Sequence, residues 1–185
     1  HGTMVLSCLA GMYDSVPMGL ALDAEYLLAR TERAFTEFKE EEDNWIAALE
    51  WAEQHGADII SSSLGYTFTR YFYSDMNGKT SLISKAALMA ARKGMLVVTA
   101  AGNEGNNTWK YIATPGDADS VLTAGGINPL TGYHISFSSY GPTADTRLKP
   151  NVVAPAVVIA AYNEGFEKTM GTSFSTPLLA GFAAC

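Results

Sequence analysis

Apolar positions recur with helical period between Asp43 and Gln54, where Trp45, Ala48, Leu49 and Ala52 form one stripe. Asp43 is placed to cap the start of that helix, and Gly56 sits where a helix would close. An apolar run from Ala57 to Ser62 follows and reads as a buried strand ending in Ser63-Leu64-Gly65. The unit then repeats. Ser81 to Lys93 predicts a helix closed by Gly94, and Met95 to Thr99 a strand that ends in Ala100-Ala101-Gly102-Asn103. Val121 to Ala124 is a third apolar run. Strands alternating with helices of this length predict an α/β fold, three layers deep, with a mostly parallel sheet covered on both faces. In such sheets the working crevice lies beyond the carboxyl ends of the strands.

After Tyr140 the texture changes, with Pro142, Pro150 and Pro155 as punctuation. Val157–Ala161 and Glu167–Met170 predict a hairpin. Gly171-Thr172-Ser173 then opens a last helix, with Pro177 expected in its first turn.

Composition adds less. The chain has 185 residues, 48% of them hydrophobic and 17% charged, which fits one compact domain with a sizeable core. Twelve basic against 19 acidic residues give a net charge of −7, which argues against nucleic acid or an anionic membrane as partner. The acidic run of Glu37, Glu40, Glu41, Glu42 and Asp43 reads as a solvated face, with calcium binding as the sharper alternative. Cys8 and Cys185 make no disulfide framework and are expected to be buried free thiols. His55 and His134 carry no pattern of their own.

Three short segments carry chemistry. Ser173 follows a glycine at a helix start, which exposes its hydroxyl beside a free backbone N–H; acyl transfer needs this pairing of nucleophile and oxyanion donor. Taken alone, the same residues fit a helix cap. Asn103 places a side-chain amide just past a strand in a glycine-rich turn, where it serves either as an uncharged oxyanion donor or as turn geometry. His1-Gly2-Thr3 leads into a helix of small residues.

Together and in this order, His1-Gly2-Thr3, Ala101-Gly102-Asn103-Glu104-Gly105 and Gly171-Thr172-Ser173-x-Ser-x-Pro resemble the His, Asn and Ser blocks of the subtilisin-like (subtilase) serine peptidases. The similarity continues through Ala57–Gly65, Ile112–Gly126, Ser136–Pro142 and Lys149–Pro155. The resemblance implies a serine endopeptidase in which Ser173 is the nucleophile, His1 the general base, and Asn103 with the Ser173 N–H the oxyanion hole. Ser63, Leu64 and Gly65 on one side and Ala100, Ala101 and Gly102 on the other would flank a peptide substrate, with Ala113 near the pocket floor and uncharged side chains favoured.

The family's orienting aspartate lies upstream of its histidine, and Asp14 and Asp23 come too late to replace it. Residues 1–185 are therefore expected to be a partial catalytic domain, poorly active by itself, lacking the Asp-bearing strand and the C-terminal end. The resemblance also implies secretion, polypeptide substrates and a monomer; calcium is common in the family but has no assignable ligand set here. A peptide-binding fragment without catalysis is the alternative. The related sedolisins place an aspartate at the Asn103 position, and no G-x-G-x-x-G supports nucleotide binding.

Overall fold

The computed structural model describes residues 1–33, 38–163 and 165–185. Helix α1 (Gly2–Ala10) is followed by a minimal hairpin of β1 (Met12–Tyr13) and β2 (Val16–Pro17). Helix α2 (Glu40–Gln54) leads into β3 (Ile59–Ser62), and α3 (Leu82–Arg92) into β4 (Leu96–Ala100). Then come β5 (Leu122–Ile127), β6 (Val152–Pro155), the antiparallel pair β7 (Val157–Tyr162) and β8 (Gly165–Met170), and α4 (Thr172–Ala184).

Strands β3-β4-β5-β6 form one parallel sheet in chain order. Its two faces separate by the period of two that a strand imposes. Ile60 and Val97 point into a core with Trp45 and Leu49 of α2 and Ile83, Ala87 and Ala90 of α3. Their neighbours Ile59, Leu96 and Val98 point the other way, against Leu9 of α1 and Leu179 and Ala180 of α4. The α/β layering expected from the sequence is the observed one.

Local chemistry explains several boundaries. Ser81 caps α3, its hydroxyl accepting from Ser84 N at 3.1 Å. Asp43 does not cap α2. That helix begins three residues earlier, at Glu40, and places four acidic side chains in its first turn, where the helix dipole favours them. Pro177 is the sixth residue of α4, one turn later than expected.

The acidic run is not a solvated face. Glu41 and Glu42 are buried, and Arg70 reaches both, at 3.3 and 3.1 Å, while Tyr71 Oη donates to Glu42 at 2.5 Å. Glu40 and Asp43 are exposed, and Glu37 lies outside the described residues. Cys8 is buried, and burial pushes its thiol up to about 11; Cys185 is exposed, contrary to expectation. Among the described residues no helix is long and apolar enough to cross a membrane.

Candidate active site

The carboxyl ends of β3 and β4 and the amino end of α4 meet at one cavity of about 90 Å³. Ser63, Leu64, Gly65, Ala100, Gly102, Asn103, Ala113 and Ser173 line it, as do Thr67, Glu104 and Thr172.

Each wall is held by hydrogen bonds that sequence neighbours do not supply. Trp45 Nε1 donates to Ser62 Oγ at 2.9 Å, fixing the end of β3 against α2. Beyond it, Tyr66 and Thr114 exchange backbone hydrogen bonds, at 2.9 and 3.2 Å. These bring Gly65 against Ala113 so closely that a Cβ on Gly65 would lie 2.8 Å from that of Ala113. Thr114 is tied in turn to Ser81 and Ser84, at 2.5 and 2.6 Å, and Ser84 to Asp117 at 2.5 Å. Burial raises the Asp117 carboxyl above its ordinary value, against hydrogen bonds from Ser84 and Gly78 that lower it.

No helix among the described residues joins β4 to β5, unlike the preceding crossover. That connection carries Asn103. Ser139 N donates to the Gly102 carbonyl at 2.9 Å, Glu104 N to Ser139 Oγ at 3.1 Å, and Gly105 N to the Phe137 carbonyl at 2.8 Å. The segment around Ser139 therefore clamps the turn from both sides of Asn103.

At the start of α4, Gly171 has φ 147°, a conformation open to glycine and strained for other residues. Thr172 N and Thr172 Oγ1 lie 2.9 and 3.0 Å from Asn103 Oδ1. A backbone N–H can only donate, so the atom facing it is the amide oxygen. Asn103 is thereby turned with its NH₂ group left to donate elsewhere. Within the first turn the N–H of Thr172 goes to Asn103 and that of Phe174 to the Gly171 carbonyl at 3.0 Å. The N–H of Ser173 has no acceptor among the described residues. One amide NH₂ and one helix-terminal N–H thus remain as donors beside a half-buried serine hydroxyl.

That hydroxyl makes a long contact to the Ser63 carbonyl, 3.4 Å. His1 stands exposed at the head of α1, which packs on α4, and its ring meets Phe174 edge-on with centroids 6.2 Å apart.

Ala101 is not at the cavity. It is buried, its N–H bonds to the Ala124 carbonyl and its own carbonyl accepts from Ala113 N, both at 2.9 Å. Thr67, Glu104 and Thr172 were not singled out from the sequence as binding residues, although Glu104 and Thr172 adjoin Asn103 and Ser173. Glu104 adds a carboxylate to walls otherwise without charged side chains, and Asn107 Nδ2 donates to it. Among the described residues no group of three or more His, Cys, Asp or Glu side chains is arranged to hold a metal ion.

The profile of the Peptidase S8 (subtilase) family matches residues 1–185. Serine protease AprX of Bacillus subtilis (strain 168) is 32% identical over 168 residues, covering 75% of this chain and 37% of AprX. Subtilisin BL of Lederbergia lenta is 29% identical over 187 residues, covering all of this chain and 61% of that protein. The solved structure of the prenylagaramide maturation protease PagA matches with a TM-score of 0.81 at 27% identity, over 100% of this chain and 62% of that one. The chain thus spans between 37% and 62% of the length of these relatives. With the profile running from His1 to Cys185 and the fold shared with a solved protease, the chain belongs to the subtilase family.

Proposed function

We propose that this chain carries the nucleophile and oxyanion site of a serine endopeptidase. The observation that supports it most directly is the meeting of Ser173 with two unspent N–H donors at one cavity: its own backbone N–H and the NH₂ of Asn103, turned by Thr172. In this reading Ser173 Oγ attacks the scissile carbonyl carbon while its proton passes to the His1 ring. The oxyanion accepts from Asn103 Nδ2 and Ser173 N. His1 returns the proton to the departing amine, leaving an acyl-enzyme that water hydrolyses by the same route. The aspartate that holds the His1 tautomer is supplied from outside these 185 residues. The peptide is gripped as an extended strand between Ser63–Gly65 and the Ala100–Gly102 side, by backbone hydrogen bonds that tolerate many sequences. Small walls at Ala100, Gly102 and Ala113 suit uncharged side chains, in an enzyme that acts outside the cell.

The long Ser173–Ser63 contact favours a second reading, a site that binds peptides without cleaving them. A serine-directed fluorophosphonate separates the two. The protein carrying this chain should be labelled at Ser173, and Ser173→Ala should abolish both labelling and hydrolysis. Labelling that survives the substitution refutes Ser173 as nucleophile; a peptide bound by an unlabelled, unreactive protein supports the second reading.

A further inference from the structure

The carbonyl of Ser173 lacks the donor four residues on that an α-helix supplies. In an α-helix it would accept from the N–H four residues on. That residue is Pro177, which has no N–H to give. A part-buried carbonyl without a donor weakens its surroundings and leaves its peptide plane free to tilt. Here the donor comes from 110 positions earlier in the chain, where Ser63 Oγ–H donates to the Ser173 carbonyl at 2.7 Å.

We propose that the Ser63 hydroxyl is a positioning residue for the nucleophile. The inference rests on the reading of Ser173 as that nucleophile, and it gives Ser63 a side-chain task beyond flanking the substrate with its backbone. By occupying the carbonyl that Pro177 frees, Ser63 fixes the peptide plane that follows Ser173. Asn103 fixes the N–H of Thr172, on the preceding side. Held at both ends, Ser173 presents its hydroxyl and its N–H to the cavity in one orientation. The donor reaches in from the end of β3, itself pinned by the Trp45–Ser62 hydrogen bond, so a sheet strand sets the geometry of a helix terminus. Preorganisation of this kind acts on the reacting geometry rather than on substrate affinity.

The test uses the full-length protein and two readouts: the second-order rate of fluorophosphonate labelling, and kcat and KM on a peptide substrate. Ser63→Ala should lower the labelling rate and kcat about tenfold with KM little changed, the size of one net hydrogen bond. Ser63→Thr, which keeps a hydroxyl, should retain most of the rate. Pro177→Ala restores an N–H at position 177, so the double variant Ser63→Ala/Pro177→Ala should recover to within a few-fold of the parent. A purely structural defect at Ser63 would not be repaired by a backbone donor in another element. Wild-type rates for Ser63→Ala overturn the proposal, as does a folded double variant no faster than Ser63→Ala. Ser173→Ala is the separate control: labelling that survives it refutes the nucleophile assignment, whatever Ser63 does.

Discussion

Raising the pH from about 7 to about 10 should strip the proton from Lys149 in the folded chain well before it does so in the unfolded one. Lys149 is only 3% exposed, and its ammonium donates to the Val121 carbonyl at 2.7 Å and to Thr123 Oγ1 and Asn151 Oδ1, both at 2.9 Å. Those acceptors carry no formal charge. Burial therefore dominates, followed by the Arg147 charge, and the Lys149 pKa falls from 10.5 to about 8. A lowered pKa means that the unfolded state binds more protons through that window, so stability rises with pH. Taking the two values as folded and unfolded, Lys149 contributes a gain of about 1 kcal/mol from pH 7 to pH 9. The window closes near pH 9, because the unfolded Cys8 thiol ionises from there while burial holds the folded one up to about 11, which opposes the gain from Lys149. Above it Tyr66 and Tyr71, both raised first by burial, stay protonated in the folded chain while their unfolded counterparts ionise, which reverses the slope. Urea unfolding at a series of pH values measures the effect, with Lys149→Met as the comparison. That variant loses three hydrogen bonds and should be less stable throughout, but its stability should no longer climb between pH 7 and 9. A parent protein whose stability is flat or falling over that range, or a variant that climbs equally, would refute the reasoning.

Asn103→Ala should reduce kcat by about 10²–10³, the loss known for the oxyanion asparagine of subtilisin, with KM changed far less; steady-state kinetics on a peptide substrate reads both. Arg70→Ala leaves Glu41 and Glu42, with side chains 3% and 6% exposed, without their cation, and should destabilise the fold by about 3 kcal/mol in a denaturant titration. Gly65→Ala drives a methyl into Ala113 across the cavity, so it should raise KM for peptides more than it lowers Tm. The isolated 185-residue chain should hydrolyse peptides poorly; full turnover by it would show that His1 needs no aspartate from outside.

Much of the layout was legible because it rests on short-range physics. The stripe Trp45, Leu49 and Ala52 encodes its helix through the period of 3.6, and the unbroken apolar run Met95–Thr99 encodes a strand that is buried on both faces. The block Gly171–Pro177 likewise carries its own instructions: a glycine conformation, a helix start and a serine in the first turn. What a single segment cannot state is its partner. The sequence marks Glu41 and Glu42 as charged but not as neighbours of Arg70, about thirty positions on, and so the solvated face it suggested became a buried ion pair. It names Ala101 and Gly102 alike, whereas the turn of the chain after β4 sends one into the core and the other to the cavity. It contains Pro177 and Ser63 without any sign that the carbonyl freed by the first is taken by the second. Residue types and local periodicity fixed which groups the protein has; the folded chain alone decided which of them meet, because hydrogen bonds and burial are settled by distance in space and not along the sequence.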